Sequence, residues 1–504
     1  MSVSVSPTGL FSISGRQWLI LLMVQLSTLL FGMTITIANV VLPQVRGTLS
    51  ATQDEISWVI TLNLIATAVA TPITGWLATR LGWRNLLFWS VGGFALFSFL
   101  CGLANSLETL IIYRIGQGAF GAPIMPLGQA ILLASFPRPL HATVMVIWGV
   151  GSVFGPVFGP IIGSMVAEVY NWRGAFFVIV PPSICAMACI WFALSEHTER
   201  GTTRLDWTGF LALSVAMAAT QLLLDRGQRM DWFESTEITL AALIAGVAFW
   251  VFIAHCLTAS QPFLDPRLLR DRNFSVGLVL AFFLGMLSVV SLVLFPSLLH
   301  DLRDYPDSTI GILISARGVG NWLAFLILIP FTRRAPRTAL ACGLIAQTIA
   351  AWSMAQLDIN VSSFDVFWTN VVNGFGFGLA YTPMTVLAFT TLAPKHMTEG
   401  TAIFTLLRNF GSSVFVSVVI VLLVRTTAMN YAAMNEFISP FNKILLYPGL
   451  PGSWALDATS GLMLIANEIQ RQSAMIGYIN AFHLMALTSA LAIPLVLLMR
   501  PPPR

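Results

Sequence analysis

IGQGAFGAPIMP (Ile115–Pro126) returns 257 residues later as VNGFGFGLAYTP (Val372–Pro383). Each copy sets an amide side chain beside glycine, then small and apolar residues, then proline. Eleven residues further on, a second proline follows in both, beside a basic residue: Pro137-Arg138 and Pro394-Lys395. Two prolines displaced by the same interval point to a duplicated unit. Both copies lie in long apolar runs, so what is duplicated is a set of membrane-crossing segments.

Composition carries this outward. The chain has 504 residues, 56% hydrophobic and only 10% charged, against about 25% charged in soluble domains. Its charges gather in short clusters between apolar stretches of about 18–25 residues, the length at which a helix spans ~30 Å of hydrocarbon. The expectation is an all-α polytopic membrane protein with fourteen transmembrane helices. A cytoplasmic N-terminus (1–16) precedes a six-helix bundle (17–195). Two inserted helices with linkers (196–273) come next, then a second six-helix bundle (274–499) and a short C-terminus (500–504). A long outer loop, 425–476, sits before the last span, with a helical part from Ser460 to Ile476. The first run, Trp18–Leu42, has no small-residue cleavage site and reads as a span. Tandem halves of this kind are a transporter architecture with the substrate site between them.

Of the 26 Lys and Arg, fifteen fall on the side of the N-terminus, eight opposite and three within spans. The positive-inside rule then makes both termini cytoplasmic. The net charge of +4 is mostly this topological bias and does not suggest nucleic acid. The five cysteines lack metal-ligand spacing and read as small core residues. No HExxH, paired intramembrane Asp or Ser/His cluster favours a membrane enzyme, and no cofactor is expected.

Several stretches carry candidate function. FGMTITIANVVLP (Phe31–Pro43) places Thr34, Thr36 and Asn39 in the first span, where they either line a cavity or bond to the preceding turn. GWLATRLGWRNLL (Gly75–Leu87) makes a tight loop in which Arg80 and Arg84 can cap helix C-termini. Arg114 and Gln117 share a face of the fourth span. Gly151, Gly155, Gly159 and Gly163 form a smooth stripe on the fifth, interleaved with Pro156 and Pro160, suited to close helix contact. Arg114, Arg317 and Arg408 lie inside spans, where an arginine costs about 2.5–3.5 kcal/mol and needs a cavity or a partner. No carboxylate falls at a span centre, and Asp225 is the candidate proton site. Asn63, Asn373 and Asn409 complete the polar set. Three intramembrane cations without a central acid favour neutral or anionic amphiphiles as substrates, with Arg317 expected to matter most.

Taken in order, RxGxR after the second span, RxxQG in the fourth and GPxxGP in the fifth resemble the major facilitator superfamily. Fourteen spans with LDRGQRMDWF (Leu224–Phe233) resemble its drug:proton antiporters of the EmrB/QacA type. The long outer loop with SPFNK resembles the EmrB-like branch. The first-span signature L-D-x-T-I-x-N-x-x-x-P is matched at Thr36, Ile37, Asn39 and Pro43, but Met33 and Thr34 replace the Leu-Asp pair. Thr79 stands where the superfamily prefers Asp, and Asn63 where relatives often have Tyr. The resemblance implies an inner-membrane exporter of amphipathic compounds working by alternating access and coupled to protons. A periplasmic adaptor and an outer-membrane channel are the implied partners. A dedicated metabolite or siderophore exporter is the alternative, with a membrane enzyme or a non-transporting sensor behind it.

Overall fold

The computed structural model describes residues 14–137, 140–195, 205–259, 262–393, 396–439, 442 and 459–500. Every regular element among them is helical. Helix α1 (Gly15–Thr48) begins at Ser14, whose hydroxyl accepts from the Gln17 amide while the Gln17 side chain accepts from Ser14 N–H. The same reciprocal cap starts α2 (Gln53–Ala70) at Thr52 and Glu55 and α5 (Leu107–Gly121) at Ser106 and Thr109. It recurs at Ser362 and Asp365 for α15 (Ser363–Phe389). These short polar motifs satisfy the first free N–H groups and fix where each helix enters.

The remaining helices are α3 (Thr74–Leu81), α4 (Trp83–Leu103), α6 (Ile124–Ser135), α7 (His141–Val169), α8 (Trp172–Phe177) and α9 (Val180–Ala193). Next come α10 (Trp207–Arg226), α11 (Thr236–Thr258), α12 (Arg272–Arg303), α13 (Asp307–Arg334), α14 (Pro336–Met354), α16 (Met397–Asn435) and α17 (Thr459–Ala492). Eleven described segments are long and apolar enough to cross a membrane; α2 and α3, bent by 57°, make a twelfth if taken as one. Pro72 lies at that bend, where it deprives the helix of a donor. With α13 and α14 the helices form fourteen rods.

The two halves repeat one set of neighbours. In the first, α1 packs along α7 and α9, α2 along α5, and α4 along α5 and α9. In the second, α12 packs along α16 and α17, α13 along α15, and α14 along α15 and α17. The halves meet where α7 touches α13 and α15, α6 touches α16, and α3 touches α16. The inserted helices α10 and α11 pack on each other, and α10 lies against both α2 and α16. The face of α11 bearing Leu243, Val247, Trp250 and Leu257 is exposed, as expected of a helix bathed in lipid.

The 425–476 segment is helical at both flanks, because α16 continues to Asn435 and α17 starts at Thr459. Its middle, with Pro440, Pro448 and Pro451, lies outside the described residues. At 39 residues α16 is about 58 Å long at 1.5 Å per residue, well beyond the hydrocarbon. Arg471 ties the base of the paired extension, donating to Glu468 at 2.9 Å and to the Leu302 carbonyl at 3.1 Å.

Candidate transport pathway

The glycine stripe on α7 faces α1. A Cβ on Gly159 would lie 2.7 Å from the Met33 carbonyl and overlap the Thr36 hydroxyl, and one on Gly155 would overlap the Leu29 carbonyl. From the other side, Gly32 admits the Pro156 ring, with Cδ 2.9 Å from where its own Cβ would stand. Such backbone-to-backbone contact is available only to glycine. Pro160 follows one turn later, inside the same unbroken helix. Thr34 and Thr36 use their hydroxyls locally, donating to the carbonyls of Leu30 at 2.8 Å and Met33 at 3.1 Å. Asn39 is exposed, and so is Asn409 on α16.

The three intramembrane arginines meet different fates. Arg114 is 1% exposed. Its Nη1 donates to Gln117 Oε1 at 2.5 Å and its Nε to the Val59 carbonyl at 3.3 Å. Gln117 in turn donates to Ser98 Oγ at 2.6 Å, and Asn63 donates to the Arg114 carbonyl at 2.7 Å. This network, through Arg114, Gln117 and Asn63, ties α2, α4 and α5 together inside the first half. Arg317 is 2% exposed, donating from Nη1 to the Ser288 carbonyl at 2.5 Å, with its guanidinium 5.2 Å from the Phe377 ring. Arg408 is the one at the seam. Its Nη1 donates to Tyr381 Oη at 2.8 Å, while Nη2 reaches Met125 Sδ, on α6 of the opposite half, at 3.3 Å.

Around Arg408 the seam is aromatic. Trp148 of α7 faces Tyr381 of α15 with ring centres 6.3 Å apart, and its Nε1 donates to Thr28 Oγ1 at 3.2 Å. Tyr381 stacks on Phe377 at 5.5 Å. Tyr381, Phe377, Trp148 and Met125 were not singled out from the sequence. The only available signal was that Asn373, Phe377 and Tyr381 recur every fourth residue, along one helix face. Asn373 is fully buried, and neither atom of its amide has a partner among the described residues.

Arg80 lies over the Trp76 ring at 5.3 Å, and Arg84 over Trp191 of α9 at 4.6 Å. Behind this loop Gly75 meets the first turn of α16, where a Cβ would stand 3.3 Å from Glu399 Cα. Glu399 was also missed in the sequence. Its carboxylate accepts from the Asp265 amide at 3.1 Å, joining the linker after α11 to the seam.

Asp225, at the end of α10, accepts a hydrogen bond from Thr61 of α2, beside Arg226, whose guanidinium covers Trp58 at 4.3 Å. The neighbouring Leu224 carbonyl accepts from Ser417 of α16 at 2.9 Å. At its other end α10 is capped by Asp206, which also accepts from the Phe263 amide and His255 Nε2, both at 2.9 Å. Burial raises the Asp206 pKa, but these hydrogen bonds and the His255 charge outweigh it and hold the carboxyl below its usual 3.8. Among the described residues, no group of three His, Cys, Asp or Glu could hold a metal ion.

The geometry so far is of two equivalent bundles meeting at an arginine-bearing aromatic seam. The sequence profile of the Major Facilitator Superfamily matches residues 24–416. The chain belongs to the major facilitator superfamily. As a member it is a multi-pass membrane transporter and not an enzyme. It is 31% identical over 478 residues to the multidrug export protein EmrB of Haemophilus influenzae, covering 94% of each chain. It is 29% identical over 473 residues to the fatty acid resistance protein FarB of Neisseria gonorrhoeae, covering 93% of each. The proton:xylose symporter XylE shares the fold, with a TM-score of 0.59, 13% identity and coverage of 95% of this chain and 96% of that one.

Proposed function

We propose that this major facilitator exports amphipathic small molecules across the inner membrane, alternating access between the halves 17–195 and 274–499 in exchange for protons. The end-to-end likeness to multidrug export and fatty acid resistance proteins carries the reading. The seam supports it, since Trp148, Tyr381, Arg408 and Met125 come from both halves and would separate if the halves reoriented. Both termini are cytoplasmic in this reading, which the excess of Lys and Arg on that side supports.

Asp225 is the proposed proton site. It stands where an inserted helix touches the first half and accepts a hydrogen bond from Thr61. The paired extensions of α16 and α17 are the proposed dock for a periplasmic adaptor that leads to an outer-membrane channel. Exposed Met429, Phe437 and Met463 give the pair an apolar surface beyond the expected spans.

Reconstituted vesicles with an imposed pH gradient test the function. Accumulation of a fluorescent amphiphile should follow the gradient, collapse with an ionophore, and fall about a hundredfold in Asp225→Asn, the weight of one well-placed proton-transfer group at the low end of the usual range. Gradient-independent accumulation would refute proton exchange. Deleting residues 430–470 should leave vesicle transport intact yet abolish resistance in cells that carry the adaptor; undiminished resistance would refute the docking role.

A further inference from the structure

Along α15 and its neighbours the order is guanidinium, ring, ring, guanidinium. Arg408 bonds to the Tyr381 hydroxyl, Tyr381 stacks on Phe377 with the planes only 9° apart, and Arg317 covers Phe377. Trp148 of the first half also stacks on Tyr381. Neither arginine is paired with an Asp or Glu among the described residues; the acceptors of Arg408 are a hydroxyl, a thioether and the Asn409 amide. A thioether is a weak acceptor. Arg317 Nε has no acceptor, and Asn373, one turn before Phe377, leaves its amide unused. Buried polar groups without partners are costly to leave unmet, and uncompensated cations attract anions far more strongly here than in water.

We infer that this seam is the subsite for the acidic head and adjoining apolar body of an amphipathic carboxylate, with Arg408 taking the carboxylate and the rings flanking the body. The inference rests on the export reading and names its substrate class. It also moves the decisive charge. Arg317 is sealed in and already holds the Ser288 carbonyl, whereas half-buried Arg408 can exchange the Met125 sulfur for a carboxylate oxygen. That exchange converts a weak contact into a charge-assisted hydrogen bond.

The test is equilibrium binding of 1-pyrenebutyrate and of a pyrenebutyl-trimethylammonium cation to purified full-length protein in detergent. Wild type should bind the anion about tenfold or more tighter, a difference of about 1.4 kcal/mol. Arg408→Gln should bring the ratio to about one, while Arg408→Lys keeps most of the preference. Thermal unfolding reports whether each variant is folded. Asn373→Asp supplies an independent arm, because a carboxylate beside Phe377 should reverse the preference toward the cation. Equal binding of both probes by wild type, binding of neither, or a ratio unmoved by Arg408→Gln and Asn373→Asp alike would overturn the subsite. Efflux of ethidium and pyrenebutyrate from cells is read separately, so the export function can stand even where the subsite falls.

Discussion

The repeated phrase was built twice and finished differently. In the first half the helix breaks at Pro123, giving α5 and α6, and Arg114 and Gln117 of α5 form a closed network from Val59 to Ser98. In the second half α15 runs unbroken through Pro383, while both atoms of the Asn373 amide and the Asn370 oxygen lack partners. Satisfied buried networks rigidify. Unsatisfied ones mark strain, water or a site awaiting a ligand. The contrast belongs to the repeated phrase: α5 is its satisfied, scaffold-like copy and α15 its unsatisfied one. Elsewhere both halves hold unmet polar groups, Gln129 in the first and Gln347 in the second.

The largest effect should come from wedging the scaffold. Gly159→Leu would drive a side chain into the Met33 carbonyl and the Thr36 hydroxyl, so export should vanish while the protein still reaches the membrane. Unaltered export, measured by substrate accumulation in cells, would deny the first half its rigid role. A smaller effect separates the two copies directly. Arg114→Leu strands Gln117 and the Val59 carbonyl and should lower stability by about 1–3 kcal/mol, whereas Asn373→Leu removes an unpaired amide and should be neutral or stabilising. Thermal unfolding of both variants in one detergent checks this; equal losses would erase the distinction.

The smallest effect belongs to the inserted pair. Asp206→Asn should lower the melting temperature by a few degrees at pH 7. Because the folded-state carboxyl is held below 3.8, its contribution is present above that value and lost as pH falls through the folded one. The gap between wild type and variant should therefore close only below about pH 4 and stay constant between pH 6 and 8. A gap that already closes near pH 6 would refute the assignment to the Asp206 carboxyl.

Much of this was legible in the sequence, and the rest was hidden for identifiable reasons. Apolar run length gave the spans, and two prolines at equal displacement gave the halves. The facing of an arginine could not be read, because the partners of Arg114 stand on other helices at Val59 and, through Gln117, Ser98. Trp148 carried no signal in a chain with 15 Trp, and Tyr381 carried only its four-residue spacing from Phe377 and, before it, Asn373. For the two threonines the sequence left a cavity lining and a bond to the preceding turn both open, and both hydroxyls make that bond. The continuation of α16 past its apolar stretch was invisible to hydropathy, since its polar turns look like a loop.

Leu224 and Asp225 are consecutive, yet one is held by Ser417 in the second half and the other by Thr61 in the first. A rigid rod cannot follow two bodies turning in opposite senses. If the halves rock as proposed, α10 must let go of one of them on every stroke and catch it again on the return. A single hydrogen bond is worth only about 0.5–1.5 kcal/mol net, too little to stall the cycle but enough to bias where it rests. The inserted pair would then work as a detent, a shallow notch in the path of motion, whose depth a proton on Asp225 could change.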